Sequence, residues 1–376
     1  MIDRKAREKG RARDVRSTPR LETYRASPLA QIVQIAVAWG VGWLFTQAGI
    51  PAGWLSGAVV GVVLLGRLGL AVIMPRPLVE TAMLVSGAVM GAGMTPDTLA
   101  AIGRYPLSLL FLALAVVAAT GASSLVLMRA FGWTRIDAVL ATVPGALTSV
   151  MAIAAERGAN VPGIGIVQST RLLFLILVLP FLVAAGGGAH AAPIGMGAPP
   201  ADAVALAIIL AGGLVVGLGF ERIGLAAPLL LGSTVASGLG HVTGAVAGQL
   251  PDPVATLGFV LIGIYIAQRF NTLDLAAIRR LIPPALVAFV VSMAVAALFA
   301  ALAVALAGAP LAEALVAFAP GGLEAMIVLA LVMGLDPLYV GVHHLVRFLG
   351  IGFTLPVLFA RRRGEANEAG RRDASP

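Results

Sequence analysis

The sequence contains no cysteine, and only four of its 376 residues are histidine. Without cysteine the chain has no disulfide, no thiolate nucleophile and no cysteine-bound metal or iron–sulfur cluster. The histidines His190, His241, His343 and His344 do not supply three or four converging metal ligands, and adjacent histidines point about 100° apart on a helix. Walker, nucleophile-elbow and dinucleotide motifs are also missing. We therefore predict no enzyme activity and no cofactor.

Charged residues are also scarce in this sequence. Charged residues make up 12% of the chain, the hydrophobic set 59%, and mean hydropathy is +0.97, whereas a soluble domain carries about 25% charged residues. The stretch from position 29 to position 360 contains 23 charged side chains, none of them lysine. This is the composition of repeated membrane spans. The sequence predicts an all-α polytopic membrane protein.

Twelve apolar runs, each near the ~20 residues that a helix needs to cross a bilayer, are bounded by proline, glycine or charge. They fall six on each side of a Gly/Ala/Pro-rich segment at 187–200, which we interpret as a linker. We therefore predict a first membrane repeat at 29–186, a second at 201–360, and ten to twelve spans. The runs lie at 29–49, 52–69, 77–95, 105–130, 136–157, 164–186, 201–220, 225–244, 254–268, 283–308, 312–333 and 337–360.

The two halves resemble each other. With a constant offset of 176, residues 136–182 align without a gap onto 312–358 with 13 identities in 47 positions. A duplicated helical module is typical of secondary transporters, which bind their solute where the repeats meet. The sequence therefore predicts two homologous repeats.

The relative direction of the repeats stays open. An even number of spans per half makes them parallel and places Arg67 and Arg76 in the cytoplasm, but it places Arg269 and Arg279 outside. The latter breaks the positive-inside trend, so one weak run, such as 225–244, is a candidate for a re-entrant segment.

Both tails are basic. Residues 1–28 carry nine basic and four acidic side chains, and residues 361–376 carry five and three. Basic residues that flank the first and last spans favour cytoplasmic retention and contact with anionic lipid over nucleic-acid binding. We expect two cytoplasmic tails and no nucleic-acid partner.

The fifth run of each half contains Pro-Gly at its centre. Pro144 and Gly145 interrupt the first copy, and Pro320, Gly321 and Gly322 the second. Proline removes an amide and clashes with the preceding turn, so each helix should break there. A broken helix in a membrane lines a cavity or is buried in protein, and its ends then offer ligands. The alternative is a packing kink without a ligand. The polar groups beside the first break are Thr148 and Ser149.

The last run of each half carries a deep arginine. Arg171 follows Gln168, and Arg347 follows His344, with the same spacing of three that places both side chains on one helix face. An ionisable residue at this depth is a candidate for a functional site. Glu324 is the one acidic residue in the interior of the preceding run, and it is either a structural partner of Arg347 or the protonatable or cation-binding carboxylate of a coupled transporter.

The motif VPGALTSVMAIAAERGAN followed by VQSTR, and the motif APGGLEAMIVLALVMGLD followed by HHLVR, resemble the AbrB-type membrane protein family with two duplication domains. The resemblance covers about residues 30–360. It implies a multi-pass protein of the bacterial inner membrane, with members labelled as regulators of gene expression or as ammonia monooxygenases. The second label conflicts with the missing metal ligands.

Two functions follow as expectations. The first is a transporter-like protein that binds or moves a small polar or anionic solute at the repeat interface. The second is a membrane-embedded regulator or sensor that uses the same pocket to regulate gene expression. Whether the chain forms a homo-oligomer stays open. The candidate solute-binding residues are Pro144, Gly145, Thr148, Ser149, Gln168, Arg171, Pro320, Gly321, Gly322, Glu324, His344 and Arg347.

Overall fold

The computed structural model describes residues 28–372, apart from 97–99, 101, 102, 104, 146, 187–198 and 272–274, with the backbone alone at 148, 271, 275, 278 and 356–372. The N-terminal tail up to residue 27 and most of the predicted linker therefore lie outside the described residues. Those described form an all-α protein of fourteen helices: α1 Pro28–Gln47, α2 Gly53–Arg67, α3 Arg76–Ala92, α4 Tyr105–Phe131, α5 Arg135–Thr142, α6 Leu147–Glu156, α7 Val161–Ala185, α8 Ala203–Arg222, α9 Pro228–Val242, α10 Asp252–Asn271, α11 Leu275–Ala307, α12 Leu311–Phe318, α13 Leu323–Val332 and α14 Pro337–Arg372.

Seven of these helices are long and apolar enough to cross a membrane, namely α1, α4, α7, α8, α10, α11 and α14. The prediction of an all-α polytopic protein is confirmed. Two of the seven, α7 and α10, are two-thirds buried, whereas α1 and α8 are only about one-fifth buried. Apolar side chains on the peripheral helices therefore face outward, as a lipid-facing surface requires.

The two interrupted segments are helical hairpins that return to the end from which they enter. In the first hairpin, α5–α6, the backbone N–H of Asn160 donates to Asp137 Oδ1 at 2.7 Å, which joins the start of α5 to the start of α7. In the second, α12–α13, Pro310 and Asp336 from the two ends line one cavity. The fifth run of each half therefore does not cross the molecule.

The two halves run in opposite directions. Arg76 in the first turn of α3 pairs with Glu221 at the end of α8, at 3.0 Å. Helices α3 and α9 run parallel, since the hydroxyls on successive turns of α9 donate to carbonyls on successive turns of α3. The parallel arrangement of the halves that an even number of spans would give is therefore wrong. Of the fourteen described helices, four form the two hairpins, one hairpin in each half, and the other ten divide five to each half.

Opposite directions sort the charges. We call the end where α1 begins the basic end, and the other the acidic end. Each arginine outside the centre whose side chain is described lies at the basic end, which also holds Glu80, Asp137, Glu156 and Glu221, whereas the acidic end holds four described carboxylates and no described arginine side chain. The arginines are Arg67, Arg76, Arg129, Arg135, Arg157, Arg222, Arg269, Arg279 and Arg280, and the carboxylates are Asp202, Asp252, Glu313 and Asp336.

Helix packing divides the molecule into two groups, and each group draws on both halves of the chain. Helices α1–α3 pack with α8–α10, and we call these six the scaffold group. Helices α4–α7 pack with α11–α14, and we call these the hairpin group. Contacts between the groups are few and run mainly through α7 and α13. A moderate rearrangement between the groups would therefore break few contacts.

Glycines allow the scaffold helices to touch along their backbones. A Cβ on Gly232 of α9 would lie 2.3 Å from the backbone nitrogen of Gly217 on α8. A Cβ on Gly87 of α3 would lie 2.2 Å from the Leu230 carbonyl oxygen. Small residues at such crossings are the usual basis of close helix packing in membranes.

We expect Gly232→Ala to destabilise the scaffold group by about 1–3 kcal/mol, because the added methyl group meets backbone atoms that cannot rotate away. Gly219→Ala on α8 is the matched control, since a Cβ there has open space and alanine favours a helix over glycine. Thermal unfolding in detergent measures both changes. Equal melting temperatures for the two variants would contradict the expectation.

Candidate functional site

A cavity of about 400 Å³ lies where the hairpin tips meet the scaffold group. Both tips line it, as do the two deep arginines of α7 and α14. The scaffold group supplies a wall from the α8–α9 loop and the end of α10, so the cavity extends from the tips towards the basic end. The lining residues are Pro144, Gly145, Leu147, Gln168, Ser169, Arg171, Leu172, Ala226, Ala227, Tyr265, Arg269, Pro320, Gly321, Gly322, Leu323, Glu324, His344, Arg347 and Phe348.

Arg171 holds the first hairpin tip. Its Nη1 donates to the Thr142 carbonyl oxygen at 2.8 Å, and its Nη2 donates to Gln168 Oε1 at 3.4 Å. Gln168 in turn donates to the Leu140 carbonyl oxygen at 2.7 Å. The last carbonyls of a helix have no partner within that helix. The two α7 side chains therefore satisfy the end of α5.

Arg347 holds the second tip in the same way. Its Nη1 donates to the Ala319 carbonyl oxygen at 2.6 Å, and its Nη2 donates to the Gly321 carbonyl oxygen at 2.7 Å and to His344 Nδ1. A guanidinium only donates, so Nδ1 of His344 accepts. His344 Nε2 then carries the proton and donates to the Val316 carbonyl oxygen at 3.0 Å.

The two tips use matching atoms. Leu140 and Val316, whose carbonyls accept from Gln168 and His344, are related by the same offset of 176 residues as Arg171 and Arg347. Both arginines are at least nine-tenths buried. A buried cation is costly unless it is paired, and here neutral carbonyls take up only part of each guanidinium.

A protein-family model described as "Transition state regulatory protein AbrB" matches residues 54–362, which include both hairpins and both deep arginines. The chain belongs to the AbrB family. A curated relative, "Uncharacterized protein YhjN" of Bacillus subtilis (strain 168), is 25% identical over 353 residues, which cover 86% of this chain and 91% of the relative. The resemblance that the Pro-Gly motifs indicate is therefore confirmed at the level of the family.

Glu324 lies in the first turn of α13 and lines the cavity of this AbrB-family chain. Among the described residues, the ion pairs that form involve Arg76 at the basic end, with Glu80 and Glu221. Glu324 and Arg347 therefore share a cavity without forming a salt bridge. The arginine is held by carbonyls, and the carboxylate is left to face the cavity.

The structure brings most of the sequence-predicted residues together. Two differ. Ser149 does not line the cavity, and the side chain of Thr148 lies outside the described residues. Sequence reasoning missed Arg269, whose guanidinium carbon lies 5.7 Å from the centre of the Tyr265 ring. An arginine in the last turn of a spanning helix is ordinary, so only the packing of α10 beside the tips shows that it belongs to the site.

Proposed function

We propose that this AbrB-family protein is a membrane carrier for a small anion, which binds in the cavity between the hairpin tips and the scaffold group. The solute class is an oxyanion such as a carboxylate. Its negative oxygens would accept hydrogen bonds from Arg171 and Arg347, and Arg269 would stand at the entrance. The two homologous repeats of opposite direction belong to this proposal, because such repeats build a central site from two half-equivalent parts.

The observation that carries the proposal is the incomplete hydrogen bonding of the two guanidiniums. Each has five N–H donors. Arg347 places three of them and Arg171 places two on acceptors among the described residues. Neither has a carboxylate within ion-pair distance in the described part of the chain. Positive charge with unused donors, buried beside a cavity, is the arrangement that recognises an oxyanion.

The helix ends in the hairpins also favour a negatively charged ligand. Helices α6 and α13 begin at Leu147 and Leu323, and both residues line the cavity. The first N–H groups of a helix have no partner within it, and that end carries a partial positive charge. The opposite ends of α5 and α12 are neutralised by the arginine and glutamine or histidine donors. Among the described residues, Glu324 is the one negative side chain that lines the site.

The helix groups supply a route for alternating access. The anion would lie between the groups, and a displacement of the hairpin group along the scaffold group would move the tips from the basic end towards the acidic end. Such rigid-body movement of one bundle against another is the usual mode of secondary transporters. The sparse contacts between the groups support it.

The charge distribution supports an orientation as well. Since positively charged loops stay in the cytoplasm, we propose that the basic end faces the cytoplasm of a bacterial inner membrane and that both tails lie on that side. The same orientation places Arg269, Arg279 and Arg280 inside, where the parallel arrangement would have placed them outside.

Anion flux tests the proposal. Proteoliposomes that contain the full chain should take up at least one of four radiolabelled anions, namely succinate, lactate, sulfate or phosphate. Uptake should be faster than into proteoliposomes that contain the double variant Arg171→Gln, Arg347→Gln. The double variant removes both charges from the site and leaves the exposed arginines in place, so that surface attraction is controlled. If one of these anions binds saturably but shows no flux, a sensor replaces a carrier; if none binds, the anion site itself is wrong.

A further inference from the structure

A second cavity, of about 170 Å³, lies at the acidic end, wholly within the hairpin group. It is lined by carboxylates, hydroxyls and the backbone where α11 ends and α12 begins. Its polar side chains come from α4, from α12 and from the turn before α14 with its first residues. They are Tyr105, Ser108, Glu313, Asp336 and Tyr339.

Two features indicate that this cavity is built to hold a ligand. Among the described residues, neither Glu313 nor Asp336 forms an ion pair. The Tyr339 side chain is 4% exposed, and its hydroxyl lies next to Ser108 but makes no hydrogen bond of ordinary geometry to it or to another described group. A buried polar group without a partner is costly, and most are satisfied by protein, water or an ion. A buried hydroxyl and two carboxylates that line one cavity are a set of oxygen ligands.

The local backbone and electrostatics favour a positive ion. The last carbonyls of α11, a helix that ends at Ala307 beside the cavity, have no partners further along the helix and form its negative end. Asp336 uses Oδ1 to accept from the backbone N–H groups of Leu338 and Tyr339 at 2.8 and 3.3 Å, which leaves Oδ2 available to a ligand. Burial raises the pKa of this carboxyl above its ordinary value, because no cation offsets its loss of hydration.

We propose that this acidic-end cavity binds a hard inorganic cation through the carboxylates of Glu313 and Asp336, the Tyr339 hydroxyl and the carbonyls at the end of α11. Carboxylate, hydroxyl and carbonyl oxygens select hard cations over transition metals. Half-helix ends and unwound carbonyls hold coupling ions in membrane carriers in the same way. The corresponding positions in the first half hold Gly163 in place of Tyr339 and Asn160 in place of Asp336, so the first half does not repeat this set of ligands.

The site does not depend on anion transport, and its test does not either. The purified full chain in detergent is heated in choline chloride and, at equal ionic strength, in sodium, potassium, magnesium or calcium chloride. We expect at least one inorganic cation to raise the melting temperature saturably, by about 2 °C or more over choline. Glu313→Gln and Tyr339→Phe should abolish the rise.

Two matched controls separate the effect of the site from the effect of losing a carboxylate elsewhere. Asp336→Asn keeps an oxygen that can cap α14 but removes the charge, so it should lose the cation effect while it still folds. Asp252→Asn removes an exposed carboxylate at the same end and should keep the effect. No cation effect beyond choline, an undiminished effect in Glu313→Gln, or loss in Asp252→Asn would overturn the proposal. If the variants do not fold, the absence of saturable binding of each of the four cations to the wild-type chain overturns it as well.

Discussion

Changing Arg347 to lysine should weaken binding of the proposed anion by about 100-fold. The guanidinium holds the Ala319 and Gly321 carbonyls and His344 while it keeps donors for a ligand, and an ammonium cannot do both. The loss of two hydrogen bonds to a charged group, at roughly 1.5 kcal/mol each, corresponds to this factor. Saturation binding of the anion found in the flux assay measures it, with Arg129→Lys at the exposed end of α4 as the control. Wild-type affinity in Arg347→Lys would contradict the role of ligand.

The double variant Glu324→Gln, Arg347→Gln separates this role from a structural ion pair. If the two side chains stabilised each other, removal of both would restore stability that either single change loses. Because no such pair forms among the described residues, we expect the stability losses of the single variants to add. Recovery of the melting temperature in the double variant would show that the pair forms after all.

Linking the two helix groups should stop flux and leave anion binding intact. Met90 of α3 and Gly341 of α14 face each other across the group boundary, with the Met90 Cε 2.9 Å from the position of a Cβ on Gly341. The chain has no cysteine, so Met90→Cys, Gly341→Cys is a clean pair, and the shorter side chain at 90 makes room for the new one at 341. Bridging of the two thiols by Hg²⁺ should reduce flux to the background of empty liposomes, and dithiothreitol should restore it.

A pair inside one group controls for the reagent. Val85 of α3 and Gly258 of α10 both belong to the scaffold group, and a Cβ on Gly258 would lie 2.7 Å from Val85 Cγ1. The bridged Val85→Cys, Gly258→Cys variant should transport at the unbridged rate. Undiminished flux in the bridged pair at 90 and 341, with bridging verified by mass spectrometry, would mean that the groups do not move relative to each other.

The apolar composition of the runs, and the proline, glycine and charged residues that bound them, predict where the helices lie. The run at 225–244, the candidate for a re-entrant segment, is instead the continuous helix α9, Pro228–Val242, and the runs at 105–130 and 164–186 are α4 and α7. The direction of the hairpins is not predictable in this way. A Pro-Gly pair interrupts an apolar run that is long enough to span the membrane. The composition of the run is the same whether the part after the Pro-Gly continues across the membrane or turns back to the end where the run began. Contacts between distant residues, such as Asn160 with Asp137, decide between these outcomes.

The sequence likewise predicts only part of the candidate site. Arg171 and Arg347 stand out in the sequence because a charge in the middle of an apolar run is expensive. Their partners do not, because each guanidinium binds backbone carbonyls, which every residue has. The second cavity was missed for a related reason. Glu313, Asp336 and Tyr339 occupy helix ends, where polar residues are common, and only the fold places them beside Ser108.

The mixed origin of the scaffold group sets an order of events during synthesis. Ser233 and Ser237 on α9 bond to carbonyls of α3 that precede them by 149 residues. At 5–20 residues per second, a ribosome needs roughly seven to thirty seconds to make that length of chain. For this interval α3 is in the membrane with its glycine face uncovered and its partner not yet made. Insertion of the first half and assembly of the protein are therefore separate steps, and a ribosome that stalls between them would leave half a scaffold for the quality-control proteases of the membrane.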